Sequence, residues 1–153
     1  MMRAASMRLA PRRAAGALGL VVLSSCRAVS DVGPSTLDVS GAWNYIATAA
    51  SSAVTLSGTM TLSQPAGAGS SFTGGLDASQ TDARGQVSRV VAIVSGRPID
   101  SSRVEFDLIL DASTRRHHSG TVAGDSVSGT WLETADFSIV GSGTFRGKRT
   151  RSP

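Results

Sequence analysis

The chain has 153 residues, 17 of them Gly and only 5% aromatic, with 15 Lys and Arg against 11 Asp and Glu. That length allows one domain with a modest core, and a Gly-, Ser- and Thr-rich composition without 3.6-residue apolar periodicity argues against a helical bundle. The basic excess is confined to the start: Arg3, Arg8, Arg12 and Arg13 are four of the 15, and the eleven that remain from Arg27 onward balance the eleven acids, so no phosphate-neutralising surface and no nucleic-acid partner are expected.

Residues 1–25 read as an export signal. The four arginines precede AAGALGLVVL, residues 14–23, an apolar run of ten. A bilayer span needs roughly 20 residues, so this run is too short to cross but suits a signal-peptide core. It ends in Leu23-Ser24-Ser25-Cys26, which resembles a bacterial lipobox. The resemblance implies diacylglyceryl transfer to Cys26, cleavage before it and acylation of the new amino group. The residue after the cysteine is Arg27 rather than the Asp that retains Gram-negative lipoproteins at the inner membrane, which favours the outer membrane. Cys26 is the only cysteine, so it has no disulfide partner within the chain. The competing reading is an ordinary signal cleaved upstream, with Cys26 a bystander. Residues 26–40, which include Pro34, then form a short polar tether.

From residue 41 onward, turn signals alternate with short runs of alternating polarity. Strands are expected over 41–48, 55–64, 70–79, 87–96, 103–111, 115–124, 126–135 and 139–149, followed by a basic tail at 150–153. The fifth is the clearest: Val104, Phe106, Leu108 and Leu110 share one face, and Arg103, Glu105, Asp107 and Asp111 the other. Eight antiparallel strands with short connections predict an all-β fold, a single up-and-down antiparallel eight-stranded barrel, with a two-sheet sandwich as the alternative. A monomer is expected.

One string recurs along these strands, a Gly two residues before a large apolar side chain: Gly41 with Trp43, Gly58 with Met60, Gly120 with Val122, Gly129 with Trp131 and Gly143 with Phe145. Residues two apart share a face, so each pair points inward. Glycine lets the wall curve and leaves room for a bulky neighbour.

Gly41-Ala42-Trp43 on the first strand, with basic residues on the last, resembles the calycin superfamily of lipocalins, fatty-acid-binding proteins and avidins. The resemblance covers about residues 39–149. It implies that a basic side chain near the chain end packs over Trp43 to close the barrel floor, and Arg149, which shares the inward alternation of Phe145 and Gly147, is the matching residue. GTWLETA and GSGTF resemble the last two avidin strands. Where avidins carry a ligand-binding Asp, however, this chain has Gly143, and two Trp are too few for a biotin box, so biotin binding is not carried over.

Two functional readings follow. In the first, the barrel is a non-catalytic, lipocalin-like binder of a small, partly apolar ligand, with Met60, Phe106, His118, Trp131, Glu133 and Phe145 as contacts. In the second, the barrel is filled, and the protein is a structural or interaction lipoprotein of the envelope. His117 and His118 point to opposite faces, so they do not chelate one metal, and a hydrogen-bonded histidine at a barrel end is the expected role of His118. Glu133 and Gln64 continue inward registers towards strand ends. Arg115-Arg116 and the Arg146–Arg151 region read as a solvated basic surface or an attraction for anionic headgroups. No nucleophile–base or phosphate-binding motif is present, so no enzyme, cofactor or metal is expected.

Overall fold

Alternating polarity builds every strand of the structure, a computed structural model that describes residues 37–66 and 70–150. The strands are β1 (Gly41–Ala49), β2 (Thr55–Ser63), β3 (Phe72–Thr81), β4 (Val87–Pro98), β5 (Arg103–Ile109), β6 (Thr114–Ala123), β7 (Ser126–Ala135) and β8 (Ser138–Arg149). Each pairs antiparallel with the next, and β8 returns to β1, from Arg149 opposite Trp43 to Gly143 opposite Ala49. The sheet is a closed up-and-down barrel, not a sandwich, and closure removes the free strand edges. This architecture agrees with the calycin resemblance. The export signal, Cys26 and most of the tether lie outside the described residues.

Strand ends depart from expectation where side chains capture the backbone. β5 stops at Ile109 because the Asp111 carboxylate accepts from the amides of Ser113 and Thr114, both at 2.8 Å, and turns the chain. β3 runs on to Thr81 because Gln80 and Thr81 still have ladder partners in Ser88 and Val87.

The inward faces make one core, with Trp43, Tyr45, Leu56, Met60, Phe72 and Leu108 among its most buried members. Three glycines of the repeated string, Gly120, Gly129 and Gly143, are where rings enter. A methyl on Gly120 would stand 2.7 Å from Phe145 Cζ, and one on Gly143 2.6 Å from Trp131 Cζ2. Three connections and the two ends of the described chain define one end of the barrel, and four turns define the other. Leu37, Thr150 and the β2–β3, β4–β5 and β6–β7 connections mark the near end; the β1–β2, β3–β4, β5–β6 and β7–β8 turns mark the far end.

Candidate functional site

The barrel axis is occupied by stacked rings. Phe106 of β5 and His118 of β6 face each other on neighbouring strands, their rings 4.4 Å apart and nearly parallel at 8°. Phe145 of β8 meets both edge-on, at 5.4 Å from Phe106 and 4.9 Å from His118. Tyr45 of β1 adds a ring 6.1 Å from Phe145, and Phe72 of β3 one 6.4 Å from Phe106. Offset and edge-to-face contacts of this kind stabilise beyond their buried area.

His118 lies at the centre of this layer with 0% exposure, rather than at a barrel end as expected. The Arg116 carbonyl, 3.0 Å from Nδ1, can only accept, so Nδ1 carries the proton. Nε2 then accepts from the Tyr45 hydroxyl at 2.7 Å. Burial pushes the His118 pKa down to about 3, aided by the neighbouring Arg116 and His117 charges and opposed by the hydrogen bond to the Arg116 carbonyl. Burial likewise drives the Tyr45 pKa up, against the Arg116 charge. Both groups are therefore neutral at pH 7, and both imidazole nitrogens are satisfied.

Each end of this layer is closed by a Trp under an Arg. At the near end, the Arg149 guanidinium lies 4.7 Å from the Trp43 ring centre and donates to the Asp38 carbonyl at 2.7 Å, while Trp43 Nε1 donates to the Val39 carbonyl at 2.9 Å. Arg149 Nε is buried without a partner. Met60 belongs to this end, opposite Trp43 on β2. At the far end, Arg116 lies 4.3 Å from the Trp131 ring centre, and its Nε and Nη2 both donate to Glu133 Oε2, the first at 2.8 Å. Arg116 is thus an inward, buried residue and not part of the basic surface expected for the Arg115-Arg116 pair. Gln64 is also drawn in: its Oε1 accepts from the Val39 amide and its Nε2 donates to the carbonyls of Leu37 and Ser70, tying the tether end to the barrel mouth.

Sequence reasoning placed His118 and Glu133 inward but missed Tyr45 and Arg116. Their parity carried the signal. Tyr45 lies two residues after Trp43, and Arg116 two residues before His118. His118 and Glu133 have separate partners, Tyr45 and Arg116 respectively, so they do not form an acid–base pair with each other. Among the described residues no group of three or more His, Cys, Asp or Glu is arranged to hold a metal.

The clefts that open around these residues are on the outer wall. One of about 520 Å³ runs over β1, β8, β7 and β6, lined by hydroxyls of Thr48, Thr130 and Thr144 together with His117 and Leu132. A smaller one of about 290 Å³ lies on the other side of His117, whose Nδ1 is 2.8 Å from Asp107 Oδ1. No protein-family model and no curated protein sequence matches the chain.

Proposed function

We propose that the protein is an exported envelope lipoprotein, anchored through lipid on Cys26, whose filled barrel works through its outer wall and stores no ligand. The supporting observation is the Phe106–His118–Phe145–Tyr45 layer across the axis. The rings that would line a lipocalin-like cavity are in contact with one another, and Tyr45, His118 and Glu133, the polar groups beside them, are satisfied internally. A pocket for a small molecule needs on the order of 300 Å³ or more, mostly apolar, with unpaired polar groups directed into it. Opening one here would require breaking the Tyr45–His118 bond and unstacking Phe106.

The test has two arms. Organic extraction of the purified protein, followed by mass spectrometry, is expected to recover no stoichiometric small molecule; a bound apolar compound at one per chain would restore the ligand-binding reading. Separately, Cys26→Ser is expected to move the protein from the membrane fraction to the soluble one, and unchanged membrane retention would refute the lipid anchor.

A further inference from the structure

The β7–β8 turn departs most sharply from the polar outer wall. Ala135 and Ser138 pair across it, leaving Asp136 and Phe137 as a two-residue loop. Both have positive φ, 47° and 64°, the geometry of a type I′ turn. That turn favours Asn and Gly at its two central positions, and a bulky residue there is strained. Here the second position is Phe137, which is 106% exposed at the rim of a shallow cleft shared with Ile109, Ala112 and Thr114. An aromatic ring on a left-handed backbone, directed wholly into solvent, is unfavourable on both counts.

The residues just behind the tip continue the pattern. The register shifts between Glu133 and Thr134, whose partners are Gly141 and Ile139, so Val140 is an extra residue on β8. The bulge leaves Ile139 and Val140 68% and 57% exposed. The row across the outer wall from Ile139 runs through Thr134 and Arg115 to Ile109 and Ile93. Arg115 stands in that row with a 58% exposed side chain.

We propose that this tip is a bilayer-inserting element, with Phe137, Ile139 and Val140 entering the interfacial region of a lipid membrane. The inference extends the reading of a membrane-anchored barrel that acts through its outer wall. Shape favours a bilayer over a protein partner. The apolar groups sit on a two-residue turn at the barrel rim, where the Asp136 amide donates to the Ser113 carbonyl while Phe137 at the apex stays exposed, and a fluid interface accommodates such a ring at a depth of roughly 5–10 Å. Charge favours an apolar, lipid-class-independent mode. Arg115 is answered by Asp107 on its own wall, and Asp136 lies at the tip itself, so the hairpin is not basic. Reach is sufficient. Eleven links through ten residues join Cys26 to Leu37, about 36–40 Å when extended, whereas the tilted barrel is about 30 Å tall, so an anchor joined at the near end does not hold the far end off the same membrane.

The test uses the mature chain from residue 26 with Cys26→Ser, so that no acyl chain contributes, and vesicle flotation on phosphatidylcholine alone and with added phosphatidylglycerol. Binding to both compositions, persisting in about 0.5 M salt, is expected. Phe137→Asn should weaken it roughly ten- to hundredfold. Because Asn suits the left-handed position, the same variant should melt at a higher temperature than the parent, which separates lost insertion from lost folding. No binding to either vesicle, or binding unchanged in Phe137→Asn, would overturn the proposal. Binding that needs phosphatidylglycerol and disappears in salt would overturn it too and assign the contact to the basic C-terminal tail. The Cys26 lipid anchor stands or falls separately, on the fractionation of the natural chain.

Discussion

Gly41-Ala42-Trp43 and Gly129-Thr130-Trp131 are nearly the same string at opposite ends of the barrel, yet their glycines answer different constraints. Gly41 has a φ of 113° and no atom within 4 Å of where a methyl would stand. Its role is conformational: it lets the chain swing from the Asp38-Val39-Ser40 segment into β1. Gly129 lies in regular strand, but a methyl there would overlap the Ser119 carbonyl oxygen and approach Gly120 Cα at 2.6 Å and the Phe145 ring at 2.9 Å. Its role is steric: it brings β6 and β7 together under Phe145. The tryptophans differ in the same way. Arg149 covers Trp43 and is held by a main-chain carbonyl, whereas Arg116 covers Trp131 and is held by the Glu133 carboxylate. The near-end closure holds its arginine on a main-chain carbonyl with the Asp38 charge only nearby; the far-end closure is an ion pair beside a buried histidine.

The largest effect that can break this comparison is expected at Gly129. Gly129→Ala forces backbone against backbone, which side-chain rotation cannot relieve, and should cost about 4 kcal/mol. Urea unfolding of the purified variant measures it, and a loss below about 1 kcal/mol would mean that the β6–β7 approach is not needed.

Next comes the ion pair. Glu133→Leu leaves the Arg116 guanidinium buried over Trp131 without its counter-charge, and removing one partner of such a pair is far costlier than never having had it. A destabilisation of about 3 kcal/mol is expected. The double variant Glu133→Leu with Arg116→Met should recover much of that loss, and its failure to do so would show that the carboxylate contributes through packing alone.

Acid sharpens the contrast between the two ends. His118, directly opposite Trp131 on β6, has a folded-state pKa of about 3 against an ordinary 6.5. Below pH 6.5 the unfolded chain takes up a proton that the folded chain refuses, so the stability from burying neutral His118 is complete above pH 6.5 and is lost as pH falls towards 3. The loss should reach about 3 kcal/mol by about pH 4.5. Asp38, Asp77, Asp100 and Asp111 are all held below the usual carboxylate value of 3.8, so their stabilisation is lost mainly as pH falls through and below 3.8, under the range from pH 7 to 4.5 in which His118 acts. Denaturant midpoints measured from pH 7 to 4.5 should slope in the natural protein and flatten in His118→Gln. Equal slopes would remove His118 as the cause.

The alternation of single strands was legible, and it was enough to place Phe106, His118 and Phe145 inward and His117 outward. What it could not supply was depth along the axis, which depends on register between strands and hence on where each turn begins. Asp111 ends β5 early through its own backbone hydrogen bonds, and the bulge at Val140 offsets β7 from β8; neither shift is visible as a change of pattern. So His118, expected at a barrel end, is central, and Arg116, read with Arg115 as one basic surface, is folded inward over Trp131. The connection after Ala135 was legible, but the geometry of its tip at Phe137 was not, for a different reason. Ala135–Phe137 carries no Gly or Asn, so nothing in the residue types announces a turn with two left-handed positions.

The smallest effect separates the two glycines most directly. Gly41→Ala adds a methyl where there is room for one and is penalised only by the positive φ, which costs an L-residue about 1 kcal/mol. A melting point lower by roughly 4–8 °C is expected for a barrel of this size, with the fluorescence of Trp43 unshifted because Arg149 and the Val39 carbonyl still hold the indole. Should Gly41→Ala prove as damaging as Gly129→Ala, the Trp43 closure would depend on the entry angle of β1, and the near end would be as tightly specified as the far one.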